Sequence, residues 1–179
     1  MIHPDEALAI IRSQKREPLT ESVPITLALG RILPATVLSS MDQPPFSKAA
    51  VDGWGWQAAG DRKEPEAPLR VRGTIAAGSE GQAIEPGQTV RIMTGAPVPA
   101  GVNRIQSFEY AREADGFITF TSTERGSNII RQAENAAAGD ILLTPRMIGA
   151  QDLAILAADG QATIARSEER RVGKECRSR

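Results

Sequence analysis

"LRVRGTI", Leu69 to Ile75, decides the fold. Leu69, Val71, Gly73 and Ile75 alternate with Arg70, Arg72 and Thr74. Apolar residues at every second position are the mark of a half-buried strand. The period recurs downstream: Val90 and Ile92 alternate with Arg91 and Met93, and Ile118 and Phe120 with Thr119 and Thr121. Between these runs lie "AAGSEGQ" (76–82), "EPGQ" (85–88) and "TGAPVPAG" (94–101), rich in the residues that turn a chain. Leu69 to Arg131 therefore reads as a small all-β module, sandwich-like or barrel-like. No helix longer than about three turns is predicted between Leu69 and Arg91.

Outward from this module the period changes. Near the N-terminus Pro4 suits a first helical position, and Asp5 and Glu6 suit the positive end of the helix dipole. Ala7, Leu8 and Ile11 share one helical face, Lys15 and Arg16 close the last turn, and Pro18 stops it. "ESVPITLALGRILPATVLSS" (21–40) predicts a short extended piece, one or two helical turns around Leu27 to Leu33, and a break at Pro34. After Asp140 the pattern turns helical again. "IGAQDLAILAADG" (148–160) offers Leu153, Ile155 and Leu156 as a buried stripe and Gly160 as a C-terminal stop. The expected class is α+β. Helices from the two chain ends pack into one discontinuous helical and extended domain, 1–50 plus 131–165, with an all-β module, 51–130, inserted in it.

The 179 residues are 41% hydrophobic and 24% charged, ordinary for a globular chain. Aromatics are only 4%, so the core rests on Ile, Leu, Val and Ala. No apolar run is long enough to span a membrane, and the N-terminus meets acidic residues too early for a secretory signal. A cytoplasmic protein is expected. A formal net charge of -1 gives no footprint for nucleic acid. The last stretch, "RSEERRVGKECRSR" (166–179), reads differently. It lacks apolar periodicity and resembles the translation of a sequencing adapter, so it is expected to lie outside the fold, with the natural frame interrupted before it. It holds six of the 21 basic and three of the 22 acidic residues, which leaves 15 against 19, a net of −4, on the rest. It also holds Cys176, the single cysteine, so Met1 to Ala165 has neither a disulfide nor a Cys-based metal site.

Three stretches offer chemistry. "SKAAVDGWGWQAAG" (47–60) places the Asp52 carboxylate between Pro44-Pro45-Phe46 and an Asp-Gly turn. Its plain reading is a turn with Trp54 and Trp56 as packing residues. "RIMTGAPVPAGVNRI" (91–105) ends a strand at Thr94, with Gly95 giving the backbone room to turn. A hydroxyl and free N–H groups there hold an anion or a metal-bound water, or else Pro97 and Pro99 simply make a rigid turn. In "GSNIIRQAENAAAGD" (126–140), Arg131 and Glu134 are either ligand-facing or a solvated ion pair. His3 is given no role.

In their order along the chain these motifs, with "MDQPPFSKAAVDGWGW" (41–56) leading, resemble the N-terminal half of the molybdopterin molybdenumtransferase family, MoeA and the gephyrin E domain. The resemblance covers nearly all of Pro4 to Ala165, and "RIMTGAPVP" is its most specific part. It implies a domain I-like discontinuous part and a domain II-like β module. It implies a transferase of molybdenum cofactor biosynthesis that inserts molybdenum from molybdate into adenylylated molybdopterin with loss of AMP, assisted by Mg2+. Asp52 and Thr94 are implied as catalytic, facing one another across a cleft and separated by about 5–12 Å, room for a hydrated Mg2+. Gly53, Gly95, Arg91 and Arg131 are implied on the substrate side, and Asp52 and Glu134 as metal ligands. A homodimer is implied, with the site completed by a pterin-binding domain of the other subunit, so this chain alone is expected to be inactive. Lys48 and Ala49 stand where the family has an amide and a hydroxyl. Asn135 and Asn103 stand where it has acidic residues. These departures keep open an alternative, a catalytically inactive binding or assembly module.

Overall fold

The computed structural model describes residues 2–13, 20–60 and 64–167. The chain runs through helix α1 (Pro4–Ser13), strand β1 (Thr20–Pro24), a 3-10 turn (Ile25–Leu27), β2 (Ile32–Leu33) and β3 (Val37–Leu38). It continues with β4 (Lys48–Ala49), β5 (Gly53–Trp56), β6 (Leu69–Ile75), β7 (Gln88–Ile92) and β8 (Arg104–Ser107). A second 3-10 turn (Phe108–Tyr110) leads to β9 (Ala111–Ala114), β10 (Phe117–Phe120) and β11 (Ile129–Ile130). β12 (Ile141–Leu143), β13 (Arg146–Met147), helix α2 (Ala150–Ala158) and β14 (Thr163–Ser167) complete it. Two compact units result, one of residues 1–40 and 141–179, the other of 41–140. The alternation pattern put the changes at 50/51 and 130/131. The difference arises because residues 41–50 and 131–140 pair with each other, Gln43 bridging Ala136 and the Pro44 carbonyl accepting the Ala133 N–H.

Unit 2 is built on a six-stranded sheet in the order β8-β5-β7-β6-β10-β9. All neighbours are antiparallel except β6 and β7, which run parallel and are joined by the long turn-rich segment between Ile75 and Gln88. Residues 69–91 hold no helix. One core cluster joins Ala49, Ile75, Ile84, Val90, Ile92, Ala96 and Ile105. Trp56 and Leu69 are buried with Ala58, and Phe120 packs against them. The two tryptophans are therefore packing residues of β5, where every side of the strand is covered.

Unit 1 departs from the helical expectation. The described part is mostly strand pairs: β1 with β14, β3 with β12 and β2 with β13. Where turns of helix were expected between Leu27 and Leu33, a single 3-10 turn gives way to β2. Gly30 sits at φ +72 and donates its N–H to the Ile148 carbonyl, while the Ile148 N–H bonds to Arg31, so the backbone is spent on a neighbouring strand. In α1 no residue is buried; Leu8 and Ile11 of the predicted face are exposed. The predicted ending at Lys15, Arg16 and Pro18 lies outside the described residues. α2 packs on the first 3-10 turn and β12, with Leu156 inside. Leu153 is only half-buried and Ile155 is exposed. Asp152 is buried instead, because its Oδ2 accepts the Gly149 N–H (2.8 Å) and its Oδ1 pairs with Arg146 (3.6 Å). The helix ends as expected at Gly160 (φ +76). Gly160 donates to Ala157 and Gln161 to Leu156, the two bonds that close a helix on a left-handed residue.

Arg166 and Ser167, expected outside the fold, continue β14 opposite Glu21 and Thr20. Arg166 pairs with Glu21 at 2.6 Å, and Ser167 is 9% exposed. A strand ladder recruits main chain, whose groups are the same in any residue, so β1 draws in two residues whose side chains carry no apolar pattern. The rest of that stretch, including Val172 and Cys176, lies outside the described residues.

Asp159 at the end of α2 closes unit 1. It is fully buried. Its Oδ1 accepts the Ser39 hydroxyl (2.7 Å), both oxygens accept the Ser40 N–H, and Oδ2 accepts the Gln161 amide (2.9 Å). Asp159→Ala leaves these donors unsatisfied in a buried place, so a loss of about 3 kcal/mol is expected, read from the urea midpoint of the purified chain.

Candidate active site

Asp52 and Thr94 meet because the segment before Asp52 is tied to the segment after Thr94. Residues 47–49 run against 95–98: Val98 donates to the Ser47 carbonyl, Ala49 to Ala96, and Gly95 to Ala49, at 2.9–3.0 Å. On its other side the segment pairs with β11, Lys48 opposite Ile130 and Ala49 opposite Ile129. Beyond it, β5 enters the sheet between β7 and β8. Gly53 allows this. A Cβ there would fall on the carbonyl oxygen of Gln106, so no other residue fits without moving β8. Gly95, at φ +80, turns the chain away from the end of β7. Both glycines thus act here on backbone geometry.

At this junction the Thr94 N–H and the Thr94 hydroxyl both donate to Asp52 Oδ1, each at 2.7 Å. The expected gap of about 5–12 Å for a hydrated metal is therefore absent; the two residues touch, since a hydroxyl on the strand end reaches the carboxylate before water does. Both are exposed. The Thr94 N–H, then its hydroxyl, hold the Asp52 carboxyl below the ordinary carboxylate range. Desolvation opposes them, and Arg91 adds the least of the downward pulls. Asp52 Oδ2 accepts no hydrogen bond from the described residues, which leaves it facing solvent as a ready acceptor.

Arg91 is exposed on β7 opposite Trp54. Its guanidinium carbon lies 4.7 Å over the Phe108 ring, and that ring meets Trp54 edge-on at 5.5 Å. A cation over a ring face is held in place while its donors stay free. Phe108 was not visible in the motif order. It is placed by its N–H bond to the Asp52 carbonyl (3.3 Å) and by Ser107 before it, whose N–H and hydroxyl both bond to Glu124. Glu124 also accepts from Asn128 at 2.7 Å. None of these long-range pairings carries a local sequence signal.

Arg131 and Glu134 belong to the turn after β11. The Glu134 carboxylate accepts the Arg131 N–H (2.8 Å), closing a turn in which Ala133 has φ +58. Among the described residues no hydrogen bond or ion pair joins either one to Asp52 or Thr94. No group of three or more His, Cys, Asp or Glu among the described residues is placed to hold a metal. A second shifted carboxyl lies on this side. Asp42 accepts the Ala138 N–H (2.9 Å) and the Gln132 amide (2.6 Å), in that order the causes of its lowered pKa. Of the departures noted above, Ala49 faces the core at 1% exposure, so no open surface lacks a hydroxyl there. Asn103 clamps Ala58, accepting its N–H (2.7 Å) and donating to its carbonyl (2.8 Å), a double role closed to a carboxylate.

Asp52 is expected to titrate below the usual carboxylate value. Its charged form then favours folding at pH above its unfolded pKa, and that contribution is lost as pH falls through the lower folded pKa. Thr94→Val keeps the larger backbone contribution and removes the hydroxyl, so the Asp52 carboxyl should move only part of the way back. Carbon-detected NMR titration of the side-chain carboxyl reads both values.

Residues 2–160 match the family described as the MoeA N-terminal region (domain I and II). A molybdopterin molybdenumtransferase of Staphylococcus epidermidis is 32% identical over 165 residues, 89% of this chain and 39% of that protein. One from a Nostoc species is 32% identical over 145 residues, covering 78% and 33%. The crystal structure of a molybdopterin biosynthesis MoeA protein from Pyrococcus horikosii superimposes with a TM-score of 0.82 at 28% identity, over 92% of this chain and 44% of that one. The chain thus spans well under half the length of these relatives. With the fold and the ordered motifs in agreement over almost all of its described length, the chain belongs to the MoeA N-terminal region family.

Proposed function

We propose that this chain is the N-terminal part of a molybdopterin molybdenumtransferase, and that the whole protein inserts molybdenum from molybdate into adenylylated molybdopterin, releasing AMP. The observation that carries the reading is the Asp52–Thr94 pair: an exposed carboxylate held ionised by two hydrogen bonds to one oxygen, within a chain of this family. Asp52 keeps Oδ2 open toward whatever approaches the strand ends. Arg91, parked on Phe108, supplies a fixed positive charge for an anionic substrate. Gly95 keeps the backbone thin beside the pair, which lets a substrate approach closely, while Gly53 seats β5 against β8 and so fixes the Asp52 backbone.

Mg2+ fits these residues in one mode. It accepts one or two carboxylates when substrate phosphates and water fill the remaining positions. Asp52 Oδ2 is the oxygen available to it, and Glu134 enters as a ligand on the family resemblance. When bound, Mg2+ would neutralise phosphate charge. The whole protein is proposed to be a cytoplasmic homodimer, in keeping with bacterial biosynthetic relatives and with the exposed Leu8, Ile10 and Ile11 of α1.

In a full-length parent, Asp52→Asn is expected to preserve the fold and to cut molybdenum insertion by about 100-fold or more. Insertion is followed by AMP release from adenylylated molybdopterin in the presence of molybdate. A variant with undiminished turnover would remove Asp52 from the mechanism. The 179-residue chain alone is expected to give no turnover in the same assay.

A further inference from the structure

A cavity of about 390 Å³ opens in unit 2 between the turn after Pro97 and the segment leading into and out of β11. Asp52 and Thr94 do not line it. Ser47 and Val98 do, and they lie five residues before Asp52 and four after Thr94 on the same paired segments.

Its polar lining offers chiefly donors; Asn103, also on the wall, has both its amide oxygen and its amide nitrogen engaged by Ala58. Arg131 has no hydrogen bond or ion pair to its guanidinium among the described residues, although Glu134 is three positions away; that carboxylate is engaged by the backbone. The Ser47 oxygen accepts the Gln132 N–H (3.1 Å) and the Ser127 oxygen accepts the Ile129 N–H (3.4 Å), so each hydroxyl proton is left to give. The N–H groups of Ala100, Gly101 and Ser127 have no partner among the described residues. No lining residue is acidic. Gln132, the lining residue nearest a carboxylate, donates to Asp42 and so keeps that charge occupied. The opposite character comes from Val98, Val102 and Ile129, which give the cavity an apolar wall. The shape is fixed rather than soft. Gly101 is held at φ +90, a Cβ on it would strike the Ile84 carbonyl oxygen, and Ile84 in turn donates to Ala100 at 3.0 Å.

We propose that this cavity is a binding site for a small organic oxyanion, a phosphate monoester or carboxylate, with its charged group on Arg131 and the two serines and its apolar body against Val98, Val102 and Ile129. A guanidinium fork matches the paired oxygens of either group, and an open cleft of this volume has room for a ligand of roughly a dozen heavy atoms. The family resemblance also sets Arg131 on the substrate side, but the titration below uses this chain without pterin or molybdate, so its outcome is separate from that of the insertion assay.

The test is titration of the 179-residue chain, labelled with nitrogen-15, by phenyl phosphate, benzoate, inorganic phosphate and uncharged benzyl alcohol. Phenyl phosphate or benzoate should give saturable shifts at the Gly101, Ser127 and Gln132 amides. Comparing the two tells which oxyanion is preferred. Inorganic phosphate should bind more weakly for want of the apolar body, and benzyl alcohol should not saturate. Arg131→Gln should weaken the better ligand by roughly tenfold while leaving the remaining spectrum in place. Val98→Phe, which fills the cavity and leaves the cation, should abolish binding. Absence of saturable shifts with both anions, or equal binding by wild type and Arg131→Gln, overturns the proposal.

Discussion

Unit 2 depends on one short stretch of main chain with a partner on each side. Ser47 to Ala49 is hydrogen-bonded to the Gly95–Val98 turn along one edge and paired with Ile129–Ile130 along the other. Every backbone group used there is one that would otherwise need water, so breaking either edge exposes several at once. The stretch feeds directly into β5, whose neighbours are fixed by Gly53 against Gln106 and by Thr89 bonding to the Gly55 carbonyl at 2.9 Å. The position of Asp52 follows from these restraints before any property of its own side chain enters.

The β module was readable because period two survives in short strands. β6, β7 and β10 fall where Leu69, Val90 and Ile118 alternate with polar neighbours. Unit 1 was less readable for a physical reason. Its strands are two or three residues long apart from β1 and β14, too short for any period to register, and they gain their definition from partners more than a hundred residues away, as β2 does from Arg146 and Met147. The apolar stripe of α1 was correct as a pattern and misleading as a burial forecast, since periodicity states which residues share a face and is silent on what covers it. α2 shows the reverse. Asp152 breaks the stripe and is buried, because a carboxylate at the third helical position reaches back to the cap N–H.

At the site, the motif order brought attention to Asp52, Thr94, Gly53, Gly95 and Arg91, and the sheet gathers those five around the ends of β5 and β7. The ring of Phe108 and the Glu124 hub that sets it were invisible, since each depends on pairings between β8 and the loop before β11. Arg131 and Glu134, adjacent in motif and thus read as one group with Asp52, belong to a separate turn. Sequence order gathers what a family shares; only the fold separates a junction of strand ends from a cavity farther along the same ladder.

The form of the Asp52 contact says something about its use. An exposed ion pair or hydrogen bond adds little to stability, because water competes for both partners. Yet here a carboxylate open to solvent receives a backbone N–H and a hydroxyl on one and the same oxygen, at distances typical of strong charge-assisted bonds. The two bonds favour the folded state through the lowered pKa, and because both load one oxygen they leave the other's acceptor capacity open. The effect is to fix the carboxylate plane and to hold the group ionised, with Oδ2 turned outward and a guanidinium close enough to be felt. A charge fixed in this way at an exposed strand junction, with no side chain on Gly95 beside it, is the arrangement that the proposed role in binding requires.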